Sequence, residues 1–151
     1  MLHLGKVQDI EFSAGEFILR EGADCDALII VKSGQVEVFK NGKSGVRIPL
    51  GIVQSGEYLG EMALISDRPH SASAVALTKT SIIKIPNGVI EEQLRNVPGW
   101  LVALTRGLVQ KLHKTNEVLR RNGIVDEGLT TAVKAITDRE ISTNADRKKP
   151  A

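Results

Sequence analysis

Apolar residues in the first 85 positions come in short clusters broken by glycine. Val7, Ile10, Phe12, Phe17, Ile18 and Leu19 are punctuated by Gly15 and Gly22, the rhythm of brief strands joined by tight turns. Residues 27–31 form an unbroken apolar run, which predicts a strand buried on both faces, whereas residues 35–40 alternate as a half-buried strand does. Asn41-Gly42, with Lys43-Ser44-Gly45 after it, predicts a hairpin turn, and Val46, Ile48, Leu50, Ile52 and Val53 carry the chain back. After a turn at Ser55-Gly56-Glu57, residues 74–77 and 81–85 read as two further strands. Seven or eight short strands at regular spacing predict a barrel or jelly roll.

The period changes after Pro86. Asn87 is placed to cap a short helix carrying Val89, Ile90 and Leu94 on one side. Pro98 stands at the first turn of a long helix in which Leu101, Leu104, Leu108, Leu112, Thr115 and Leu119 recur at three- and four-residue intervals. A stripe this narrow and regular predicts a two-helix seam, and so a homodimer, in preference to packing on the barrel. Trp100 reads as a core or interface anchor, and His113 as a solvated residue. Beyond Asn122-Gly123, Leu129, Val133 and Ile136 mark one more amphipathic segment. Residues 142–151 read as a polar disordered tail whose basic triplet is a solvated end. The expected fold is mainly β with C-terminal helices: a jelly roll with a short helix over 1–97, the long helix over 98–121, an extra short helix over 122–141, then the tail.

Composition narrows the function classes. A chain of 151 residues with 42% hydrophobic content suffices for one domain, and its five aromatics leave the core to Val, Ile, Leu and Ala. A net charge of +2, from 20 basic and 18 acidic residues, argues against nucleic-acid binding by charge alone. Cys25 is the only cysteine, which excludes an intrachain disulfide and a multi-cysteine zinc site, fits a reducing compartment, and reads as a small apolar filler. Residues 1–6 lack the apolar region of a signal peptide and no run approaches a membrane span, so a cytoplasmic protein with no membrane partner is expected. His3, His70 and His113 fall on unlike elements without metal spacing, and neither a Gly-x-Ser-x-Gly nor a Walker loop occurs. No enzyme is expected.

The candidate chemistry lies in residues 58–74. This stretch begins as strand, turns at Gly60 and returns to strand at Ala72, leaving room between for about one helical turn, from Glu61 to Ile65. Gly60 leaves the first backbone N–H groups of that turn open to an anion, a cradle suited to phosphate.

Leu59-Gly60-Glu61-Met62-Ala63-Leu64, followed by Pro69-His70-Ser71-Ala72, resembles the phosphate-binding cassette of the cyclic nucleotide-binding domains. That family's pattern is aromatic-Gly-Glu-apolar-Ala-Leu, a short gap, then Pro-Arg-small-Ala. The resemblance spans residues 7 to about 121, with Gly15, Gly22, Gly34, Gly56 and Gly60 where the family turns. It implies that Glu61 accepts a hydrogen bond from a ribose 2′-hydroxyl, and that backbone amides of Gly60, Glu61, Met62, Ala63 and Ser71 surround a cyclic phosphate. The family's arginine is replaced by His70, and Arg68 comes two residues early. The long helix resembles the dimerisation helix of catabolite-activator-type regulators, which implies Thr115 and Asn116, one from each subunit, at the base. The implied function is a dimeric sensor of cAMP or cGMP without a prosthetic group, signalling through its C-terminal helix to an unknown effector protein or domain. The alternative is a degenerate domain that binds nucleotide weakly or not at all, because His70 replaces arginine, and serves as a dimerisation or protein-interaction module. The family's N-terminal helix has almost no room before Val7. One segment after Arg121 is too little for a helix-turn-helix, so no DNA binding by this chain is expected.

Overall fold

The computed structural model describes residues 5–147. Eight strands run β1 (Gln8–Phe12), β2 (Phe17–Leu19), β3 (Ala27–Ser33), β4 (Val36–Asn41), β5 (Arg47–Val53), β6 (Tyr58–Leu59), β7 (Ser73–Ala76) and β8 (Thr80–Pro86). They form two four-stranded sheets, ordered β1-β8-β3-β6 and β2-β7-β4-β5, with every pairing antiparallel. The first strand closes on the last, Gln8 opposite Lys84, as the expected jelly roll requires. Ile29, Val31, Ile82 and Leu59 from one sheet meet Val36 and Ala74 from the other, a core of mostly branched aliphatic side chains between two inner faces. Gly34 makes the β3–β4 turn with φ 92°, and a Cβ there would stand 2.5 Å from the Lys79 carbonyl oxygen, so no other residue fits.

Two strand expectations are corrected. Strand β3 alternates between buried and half-buried positions, because only one of its faces meets the core. Strand β4, polar and apolar in alternation, is instead buried on both sides, Glu37 and Lys40 included. Its outer face is covered by the Arg47 guanidinium, 4.1 Å above the Phe39 ring and 3.6 Å from Glu37 Oε2, while Lys40, on the same face as Val36 and Val38, reaches the long helix with its Nζ.

Four helices complete the chain: α1 (Glu61–Ser66) in the cassette, then α2 (Asn87–Leu94), α3 (Gly99–Asn122) and α4 (Glu127–Arg147). Pro86, not Asn87, is the N-cap of α2; the Asn87 side-chain amide donates to the Cys25 carbonyl at 2.6 Å instead. Helix α3 ends at Gly123, φ 59°. Its Val109 is buried, with Val102, Thr105, His113, Asn116 and Glu117 half-buried on the same side. The leucine stripe points elsewhere: Leu104, Leu108 and Leu112 are each 54% exposed, and Trp100 at 70% is no core anchor. Helix α4 lies back against β5, with Leu129, Val133 and Ile136 half-buried. It runs on through residues 142–147, where the sequence predicts a disordered tail. Asp126 starts it by accepting from the Leu129 N–H at 3.0 Å, and propagation then adds one hydrogen bond per residue even where the side chains are polar. Residues 148–151, the rest of that tail, lie outside the described residues. Among the described residues no helix is long and apolar enough to cross a membrane.

Candidate functional site

Strand β6 delivers the chain to Gly60, whose φ of 84° turns it into α1; a Cβ here would stand 3.1 Å from the Ala27 carbonyl oxygen. The Leu64 N–H donates to the Gly60 carbonyl at 3.0 Å, so the N–H groups of Glu61, Met62 and Ala63 precede the first bond of the helix. After Asp67, in the left-handed region at φ 52°, the chain is pinned at His70. The His70 N–H donates to Ala23 and its carbonyl accepts from Gly22, both at 2.8 Å. Turn and pin together rim a cavity of about 260 Å³, open on one side, with Leu19, Val38, Leu50 and Val53 among its apolar walls.

Gly60, Glu61, Met62, Ala63, His70 and Ser71 all line this cavity, and Asn116 reaches it from α3. Thr115 does not. It is exposed, its hydroxyl donating to the Lys111 carbonyl at 3.1 Å. Adjacent helical residues point about 100° apart, so within one chain only Asn116 lines the cavity, where the resemblance implies one of the pair from each subunit.

Burial raises the Glu61 carboxyl above its ordinary range, opposed by a hydrogen bond to its own backbone N–H. His70 is buried, and burial lowers its imidazole below the ordinary value against a weaker upward pull from Asp26, so it is neutral at pH 7. Among the described residues no lysine or arginine side chain lines the cavity; Arg68, two residues before His70, faces two other depressions. The site therefore offers backbone amides and a neutral imidazole to an anion, a carboxylate to hydroxyl groups, apolar walls to a flat ring, and the Asn116 amide as donor and acceptor.

One feature escapes the sequence reading: the latch that holds α3. Lys40 Nζ, nearly inaccessible, lies 2.8 Å from Glu117 Oε1 and 3.7 Å from Glu21 Oε1, and Arg120 Nη2 adds a bond of 2.8 Å to Glu117 Oε2. The available signal was Glu117 itself, the lone carboxylate in a helix bearing Arg106, Lys111, Lys114, Arg120 and Arg121. Hydrogen bonds from Arg120 and then Lys40 hold its carboxyl down to about 2. His113, expected in solvent, is half-buried with Nε2 unpartnered, because it lies on the barrel side of the same helix. A depressed carboxyl stabilises the fold above its unfolded value of 4.5, and that contribution is lost as pH falls toward about 2. Glu117→Gln should remove this acid dependence. It should also lower stability at pH 7 by about 1–3 kcal/mol, because Lys40 stays buried with only Glu21 nearby. Urea unfolding at pH 7 and pH 3 measures both effects; equal stability of variant and wild type at pH 7 would dismiss the latch.

Comparison with known proteins gives the site its family. Residues 9–97 match the family described as cyclic nucleotide-binding domain. The cAMP-dependent protein kinase regulatory subunit of Emericella nidulans is 40% identical over 76 residues, 50% of this chain and 18% of that protein. Among solved structures, the EAL enzyme Bd1971 in its cAMP-bound form matches with a TM-score of 0.68 and 29% identity, over 72% of this chain and 29% of that one. The catabolite activator protein of Thermus thermophilus matches with a TM-score of 0.60 and 30% identity, over 75% of this chain and 53% of that one. The chain thus spans less than a fifth of the length of that kinase subunit. The family match takes in more than half of the 151 residues, including the cassette and both sheets, and the chain belongs to the cyclic nucleotide-binding domain family.

Proposed function

We propose that this domain is a regulatory sensor, not an enzyme, that binds cAMP or cGMP in the cavity beside α1 and reports occupancy through α3. The observation that carries the reading is convergence: the Glu61 carboxylate, the leading amides of α1 and residues 70–71, all from one short stretch, share one cavity with Asn116 from the distant helix α3. Glu61 takes the ribose 2′-hydroxyl, the amides take the cyclic phosphate, and Asn116 reads the base. The Bd1971 structures are of cAMP-bound and cGMP-bound forms, which supports both ligands as candidates. The exposed leucine stripe of α3 suits a second copy of the chain, and Thr115, lying on that stripe, would then stand toward the other copy's cavity. The effector is a protein or domain engaged through the C-terminal helices, and the single cysteine suits the cytoplasm.

Calorimetry with cAMP and cGMP tests this. Glu61→Ala should weaken both nucleotides alike by about 10- to 100-fold, the equivalent of one hydrogen bond to a charged group, ~1.5–3 kcal/mol. Asn116→Ala should instead change the cAMP-to-cGMP ratio. Failure of wild type to bind either nucleotide at millimolar concentration would establish the second reading, a degenerate scaffold for assembly, which the lack of a lysine or arginine lining the cavity among the described residues favours.

A further inference from the structure

A second cavity, of about 520 Å³, lies between the loop after α1 and the outer part of α3, apart from the one lined by Glu61 and Asn116. Arg68 lines it from the loop, and His113, Lys114, Glu117 and Arg121 line it from the helix. The near-balanced charge of the chain conceals how basic this helix is, with five cations against Glu117 alone. Glu117 faces the cavity, but its oxygens are engaged by Lys40 and Arg120. It therefore leaves Arg68, Lys114 and Arg121 uncompensated, and none of the three has an ion pair among the described residues. At the same cavity His113 Nε2 is buried without a hydrogen-bond partner, and burial first, then the charges of Lys40 and Arg68, disfavour protonation of that ring.

Geometry narrows the ligand. Lys114 and Arg121 are seven residues apart, about 10 Å along the helix axis, and Arg68 lines the cavity from the loop opposite, so three fixed positive charges are spread along one cavity, a charge and a length that two or three linked phosphates match. Guanidinium groups take phosphate oxygens in pairs, and a lysine adds a point charge. A concave site of this volume receives a small molecule rather than a nucleic-acid duplex. We propose that this second cavity binds a small polyphosphate, inorganic or the di- or triphosphate of a nucleoside, with Arg68, Lys114 and Arg121 as its cationic contacts. Because Asn116 and Glu117 are neighbours on α3, a ligand in either cavity bears on the same helix.

The test is titration of the chain with sodium tripolyphosphate at about 0.1 M salt, read by calorimetry and by the ring signals of the histidines. Saturation at one per chain is expected, weakened about tenfold or more by Arg68→Gln and by Lys114→Gln. Lys111→Gln, which removes the same charge from the same helix outside the cavity, should leave affinity within about twofold. His113 signals should move and His70 signals should not. Binding that does not saturate, equal weakening by Lys111→Gln, displacement by sulfate at matched ionic strength, or movement of His70 in place of His113 would each overturn the proposal. None of these readouts depends on cyclic nucleotide binding.

Discussion

His70→Arg should tighten cyclic nucleotide binding by about 10- to 100-fold at pH 7.5. The position is held from both sides, its N–H bonded to Ala23 and its carbonyl to Gly22, so a new side chain starts from the same point on the cavity rim. There the imidazole is neutral, since burial lowers its affinity for a proton, and among the described residues no lysine or arginine lines the cavity. A guanidinium would bring permanent charge and paired donors to the phosphate; one such bond amounts to ~1.5–3 kcal/mol, hence the fold-change. The pH dependence should separate the two proteins as well. Wild-type affinity should rise only as pH falls below the ordinary histidine value of 6.5, where His70 begins to gain charge. Further acidification protonates Glu61, whose carboxyl is raised by burial, and the ribose contact weakens. The arginine variant keeps its charge throughout and should show only the Glu61 limb. Calorimetry from pH 7.5 down to pH 5 follows both curves, and equal affinities at pH 7.5 would place the phosphate away from residue 70.

Leu108→Glu combined with Leu112→Glu should convert the proposed dimer to monomer at tens of micromolar without unfolding either chain. Both leucines are 54% exposed in the single chain, so replacing them disturbs little of its own packing. Two copies pairing through α3 would bury the remaining half of each side chain, on the order of 1 kcal/mol apiece and about 4 kcal/mol for the four. That corresponds to roughly a thousandfold in the dissociation constant, before the cost of desolvating carboxylates in an apolar seam. Sedimentation, with far-ultraviolet circular dichroism to verify folding, reads the outcome. A wild-type protein that sediments as a monomer at those concentrations would reject the homodimer.

Local order in this chain was written locally. Gly60, Gly34 and Gly15 sit where the backbone must take positive φ, and the apolar rhythm around them marks strands wherever strands form. Six of the eight expected site residues are legible for the same reason: they lie within twelve positions whose conformation is set by one glycine, one helical turn and one pinned residue. Helix α3 announces itself by its period, but a period does not say which face meets the barrel. The leucines that dominate the pattern turn outward, and the less conspicuous side bearing Val109, His113 and Asn116 turns inward, which is why Thr115 and Asn116 part company. Lys40 and Glu117 are 77 positions apart, and each reads as an ordinary surface charge until the jelly roll brings α3 across β4. The same holds for Glu37, whose strand alternates in polarity yet is covered on both faces. Turn chemistry and periodicity report interactions among residues a few positions apart, so the sequence by itself determined where the strands and the first three helices lie and the turn at Gly60. Burial of a polar residue by a remote element exists only after the chain has closed on itself, and so the latch, the inward face of α3 and the basic cavity beside it were decided by tertiary structure.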